Sequence, residues 1–225
     1  MTARLIVSAS LAVALFGGCS SSDDPDPVAG SGGGPGPGSP PEGVPGTLIE
    51  GIWESPCLMT GNVSESRAFV LTITERVFQL NEMLYADGSC EDALWALTTR
   101  GSFEERPIED GREPADGIPI DLSINQFTLV PLLQQTADRF NQEATCGITG
   151  WTPAVDQDVS GCTEFVGVAA PRTDYNRYFV DDRGTIDVRA DDTLALGTLG
   201  PQTDEAMRPA GVDAEIVFTR RPGSV

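Results

Sequence analysis

The sequence predicts a mainly β domain, an antiparallel barrel of about eight to ten strands with one amphipathic helix, a sandwich being the alternative. Three features predict it. The apolar residues fall in short runs rich in β-branched and aromatic side chains with partial alternation. Turn-forming residues such as Asp181-Asp182-Arg183-Gly184 and Asp191-Asp192 punctuate those runs. A single segment carries a helical rather than a two-residue period.

Taken in order, the strand runs are Leu48 to Trp53, Ala68 to Ile73, Val77 to Tyr85 and Leu94 to Thr99. A charged stretch from Glu104 to Asp116 follows, and then Ile118 to Leu122, Gln126 to Val130, Tyr175 to Val180, Thr185 to Arg189, Thr193 to Leu196 and Ala214 to Phe218. The helical segment runs from Pro131 to Ala144, opening on proline and aligning Leu133, Ala137, Phe140 and Ala144 on one stripe. Cys146-Gly147 would end it, and a loop through Trp151, Pro153 and Gly161 follows. No internal repeat is present.

The first 18 residues do not belong to this fold. Arg4 precedes the apolar run Leu5 to Phe16 and the small pair Gly17-Gly18, the pattern of a secretory signal peptide. The run holds about a dozen residues, too few at about 1.5 Å each to span about 30 Å of hydrocarbon. Residues 19–46, beyond Cys19 mostly Ser, Asp, Pro and Gly, cannot bury a core and read as a solvated linker with a mean reach of about 30 Å. The folded domain is expected over 47–221, with 222–225 as a tail.

Composition excludes several chemistries. The formal charge is -20, and loss of Arg4 with the leader makes it more negative still, so nucleic acid and anionic lipid are poor partners. All 14 basic residues are arginine and there is no histidine, which removes histidine bases, histidine metal ligands and lysine Schiff bases together. No G-x-S-x-G elbow or phosphate-cradling loop occurs. No cofactor is expected. The abundant carboxylates leave a two-carboxylate glycosidase as a formal option, which a cleft holding one carboxyl of raised pKa beside an ionised one would revive. The bland reading of the same residues is a solvated acidic surface. Asp156-x-Asp158, Asp181-Asp182 and Asp191-Asp192 could offer oxygen ligands to calcium, but complete no calcium motif, and aspartate favours turns for its own reasons. Asn62-Val63-Ser64 matches a glycosylation sequon and carries no functional reading here.

Besides Cys19 there are Cys57, Cys90, Cys146 and Cys162, an even set that reads in an exported chain as two disulfides. Of three connectivities, Cys57 with Cys90 and Cys146 with Cys162 close the shorter loops, worth about 3 kcal/mol each in the chain-entropy model. A four-thiolate zinc site is the rival, without any C-x-x-C spacing to favour it. The tryptophans divide by context. Trp53 and Trp95 lie in strand runs and read as core, whereas Trp151, in a loop, fits ligand contact and loop packing equally.

Two resemblances sharpen these expectations. Leu15-Phe16-Gly17-Gly18-Cys19 resembles the lipobox of bacterial lipoproteins, with Phe16 where the family usually has leucine. It implies a lipidated Cys19 anchoring the chain to the membrane through acyl chains, each worth about 0.8 kcal/mol per buried methylene. Ser20, in place of an inner-membrane-retaining aspartate, implies the outer membrane. Gly51-Ile52-Trp53 is similar to the G-x-W signature of lipocalins, and Gly51-x-Trp53-x-Ser55-x-Cys57 with Tyr85-x-Asp87-x-Ser89-Cys90 and Gly101 resembles the APC-down-regulated type of extracellular domain. That likeness covers about the first third of the folded part and supports the Cys57–Cys90 pair. The lipocalin likeness implies an arginine stacked on the floor tryptophan, a part that falls to Arg220 against Trp53. The mid-chain helix departs from lipocalin order. The function implied is binding of a small apolar ligand in the barrel, the alternative being an envelope interaction protein with an acidic face.

Overall fold

Strand β1 (Gly51–Glu54) is followed by β2 (Leu58–Met59), β3 (Ser66–Thr74), β4 (Val77–Tyr85), β5 (Ala93–Glu105) and β6 (Ile118–Pro131). Helix α1 (Gln134–Glu143), the short strand β7 (Gln157–Asp158) and the one-turn helix α2 (Thr163–Val166) come next, and then β8 (Arg172–Asp181), β9 (Thr193–Leu196) and β10 (Val217–Arg220). The computed structural model describes residues 49–61, 64–108, 116–181, 192–213 and 217–222. The leader, Cys19, the linker, Asn62 and Val63 of the sequon, the run Thr185 to Arg189 and nearly all of the tail lie outside the described residues.

Eight strands close into an antiparallel barrel, in the order β1-β10-β9-β8-β6-β5-β4-β3 and back to β1. The closing strand is β1, which pairs with β10 on one side and β3 on the other, so no sandwich forms. Two short strands lie beside this ring, β2 on the start of β3 and β7 on the end of β6. The second arises because β8 follows β6 only from Ile118 to Ile124, leaving Thr128 and Leu129 to pair with β7. The alternation of each strand then sends one set of side chains inward. Phe69, Leu71 and Ile73 of β3, Phe78 of β4, Leu97 and Phe103 of β5, and Phe127 and Leu129 of β6 are all buried.

Two expected strands prove to be one. Ile118 to Leu122 and Gln126 to Val130 belong to the continuous β6, whose register against β5 shifts by one residue between Arg100 and Gly101. Gly101 pairs with Ile124 and Arg100 with Gln126, leaving Asn125 as the extra residue of a β-bulge. The bulge reverses the phase of alternation, so the buried positions change from Ile120 and Ile124 to Phe127 and Leu129, and a two-residue pattern breaks there. Strand β5 also runs on through Glu105, because the charges of its second half alternate with the buried Gly101 and Phe103.

The helix is shorter than its periodicity suggests. Pro131 is still in β6, opposite Trp95, and Leu133 is the extended N-cap with φ near -116°, more than a third exposed. Thr136, Ala137 and Phe140 form the buried face, and Ala144 ends the helix in the left-handed region at φ 49°, exposed rather than on the stripe. A 3-10 turn at Thr145–Gly147 follows.

Candidate functional site

At the end of the barrel where β3 turns into β4, the floor is shut. Trp53, fully buried, donates its indole N–H to the Ile49 carbonyl at 2.8 Å, and the Arg220 guanidinium lies 4.3 Å from its ring centroid. Register makes this contact possible, since Trp53 and Arg220 are direct cross-strand neighbours on β1 and β10. Arg220 is itself buried, donates to the Glu50 carbonyl and lies 3.5 Å from the Asp192 carboxylate. Burial pulls its pKa below the ordinary arginine value, with the Asp192 charge opposing. Gly51 begins the strand with φ 135°, a conformation that needs glycine. Just inside, Leu71, Ile73, Phe78 and Ile120 enclose an apolar void of only about 50 Å³. That volume is small against the roughly 300–1,000 Å³ of ordinary ligand pockets.

The opposite end is plugged by aromatic rings. Phe140 of α1 meets Trp151 edge-on at 5.2 Å and Phe165 of α2 at 5.7 Å, and Phe165 meets Trp95 of β5 at 5.6 Å, arrangements favoured by the ring quadrupoles. Asn141 ties the loop to the helix. Its side-chain oxygen accepts from the amides of Gly150 and Trp151, each at 2.7 Å, and its amide donates to the Trp151 carbonyl. Trp151 is therefore loop packing, with its indole N–H buried and without an acceptor among the described residues. The Cys146–Cys162 disulfide, with Cα atoms 5.2 Å apart, staples the same loop. Arg172 at the start of β8 holds α2 down. It grips Asp174 at 3.0 Å, donates to the Val166 carbonyl and stacks 4.9 Å over Phe127.

Between plug and wall the barrel mouth stays open in a cleft of about 320 Å³. Phe69, Leu80, Leu97, Phe165 and Leu199 supply its apolar lining, and Arg67, Glu82, Thr99 and Arg172 its polar points. Leu80 also borders the inner void, so the cleft stands directly above it. Glu82 is in phase with Phe78, Leu80 and Leu84 on the inward side of β4, and its carboxylate pairs with Arg67 at 3.0 Å. Loss of hydration on burial raises its pKa, and the Arg67 charge opposes the rise only in part. Arg67 is half exposed, with 47% of its side chain open to solvent against 18% for Glu82. No second carboxylate lines the cleft among the described residues, so a two-carboxylate hydrolase is not assembled there. The alternation that places Glu82 and Arg67 on the apolar faces of their strands was the signal in the sequence, and whole-chain charge concealed it.

The other candidate residues have structural partners. Cys57 and Cys90, with Cα atoms 5.9 Å apart, form the first disulfide, so the four thiols occupy two pairs rather than one four-sulfur site. The motif around Cys90 builds a turn. The Asp87 carboxylate accepts from the amides of Ser89 at 2.7 Å and Asp92 at 2.6 Å, and Ser66 donates to the Asp87 carbonyl. Asp158 accepts from the Ser160 amide, and Asp192 faces Arg220, whereas Asp182 and Asp191 lie outside the described residues. A second concavity, about 420 Å³, opens on the outer wall beside Tyr175. Its central carboxylate, Asp121, is engaged by Arg106 and Arg208, each at 2.6 Å, so those groups serve to fasten the loop after β9 to the barrel. The mouth cleft, with an incompletely neutralised carboxylate among apolar groups, is the stronger candidate. No protein-family model matches the chain, and no curated protein sequence matches it.

Proposed function

We propose that this chain is a lipoprotein of the outer membrane, anchored through Cys19, that binds a small and largely apolar ligand and catalyses no reaction on it. The observation that carries the reading is the mouth cleft, about 320 Å³, whose lining divides about evenly between apolar groups such as Phe69, Leu80, Leu97 and Phe165 and polar ones such as Arg67, Glu82 and Arg172. That volume lies at the lower edge of the usual ligand range. The ligand sits at the mouth and not deep in the barrel, because the inner void holds only about 50 Å³. The Ser, Asp, Pro and Gly composition of residues 20–46 is that of a linker between Cys19 and the barrel.

The formal charge of -20 favours a second reading, an interaction lipoprotein that presents an acidic face to an envelope protein or cationic partner. Native mass spectrometry, before and after organic extraction of the chain purified from an oxidising periplasm, separates the two. An extra mass released by extraction supports the ligand carrier. A bare chain that also binds none of a panel of small apolar probes supports the interaction protein.

A further inference from the structure

We infer that the ligand of the mouth cleft carries a positive charge, an aliphatic or aromatic amine whose ammonium group is taken by Glu82 in place of Arg67; this rests on the cleft being the binding site. Four observations converge on it. Glu82 is the only carboxylate among the described lining residues, and it projects from the inward face of β4 between Leu80 and Leu84. One of its oxygens is held by Arg67, while the other accepts no hydrogen bond among the described residues. A part-buried carboxylate gains from a cation that reaches it, because the reduced local dielectric strengthens the pair.

The local charges alone are balanced, since Arg67 could equally hold an anion. What breaks the tie is mobility and field. Arg67 is at the rim, half exposed on a flexible stem, so it can swing into water with most of its hydration already in place. Glu82 has no such exit. Arg172, the other cation of the lining, is already committed to Asp174 and to the Val166 carbonyl. The chain's charge of -20 draws cations towards the cleft and repels anions before contact. The rings of Phe69 and Phe165 border the same space, and an ammonium group is favoured over an aromatic face.

The test compares heptylamine, 1-heptanol and heptanoate, binding measured by calorimetry at pH 7 to the full chain carrying Cys19→Ser so that it stays in aqueous solution. The amine should bind about tenfold or more tighter than the alcohol, and heptanoate weakest. Glu82→Gln should bring the amine's affinity down to that of heptanol for the same variant, its thermal midpoint reporting that it is folded. Arg67→Gln should tighten the amine several-fold by removing its competitor. The amine's preference should fade as acid protonates Glu82, whose pKa lies above the ordinary glutamate value, with no matching change for heptanol. Equal affinities for amine and alcohol, or tighter heptanoate binding that Arg67→Gln abolishes, would overturn the cation inference while leaving the cleft as the binding site. Failure of all three probes to bind would overturn the cleft itself.

Discussion

Asp87 is only partly exposed, and its carboxylate collects the amides of Asp92, Ser89 and Glu91 and the Ser89 hydroxyl. Those donors, the Asp92 amide first, hold its pKa down at about 2. A depressed acid stabilises the fold above its ordinary titration range and loses that contribution as pH falls through the folded value. The amide resonances of Ser89 and Asp92 should therefore titrate together with a midpoint near 2, and a common midpoint near 4 would show that the bonds are not made in solution. Gly101 makes a steric claim. A methyl group there would stand 2.2 Å from the Ser123 carbonyl oxygen and 2.9 Å from the Phe78 ring, across two strands of the wall. Gly101→Ala should cost about 1–3 kcal/mol or more in a denaturant titration, by the usual penalty of overpacking. Asp87 builds the turn before β5 and Gly101 lets the wall close.

The elements divide into those whose local pattern was sufficient and those set by distant contacts. Val77 to Tyr85 and Thr193 to Leu196 are strands with the bounds the sequence suggests, because short runs of β-branched, aromatic and aliphatic residues mark both. The β6 bulge was not legible, since an extra residue in one strand is defined by its partner and leaves only a break in phase. The start of α1 misled for a related reason. Pro131 suits a first helical turn, but the pairing of Pro131 with Trp95 keeps the chain extended through that point. Helix α2 is a single turn fixed by Arg172, the Cys162 disulfide and Phe165 packing, none of which is local. Because Phe165 is both plug and cleft wall, the staple should matter to the site. Replacing Cys146 and Cys162 by serine closes no loop of 16 residues in the unfolded chain, and should cost about 3 kcal/mol. Amide exchange should quicken across residues 145–167 while β3 and β4 stay protected. Uniform loss of protection over the whole barrel would contradict this division.

At the scale of the whole molecule, closure depends on β1, a strand of four residues gripping a neighbour on each side. Trp53 reinforces that grip through its burial, its hydrogen bond to Ile49 and the Arg220 contact. Trp53→Ala should cost about 3–5 kcal/mol and expose the β3–β10 seam, seen as a fall in the thermal midpoint and dye binding by the native state. The tryptophan at that point and its arginine partner at the end of β10 were readable from sequence, whereas the mouth cleft was not, because its walls come from β3, β4, β5, α2, β8 and the loop after β9. The account as a whole stands on that cleft. A crystal structure of the chain purified without denaturation and soaked in heptylamine tests it most directly. Ordered density within contact of Phe69, Leu97 and Phe165, with its nitrogen at hydrogen-bond distance from Glu82, is the result the account predicts. An empty mouth with the Arg67–Glu82 pair undisturbed, at concentrations that saturate binding in solution, would contradict it.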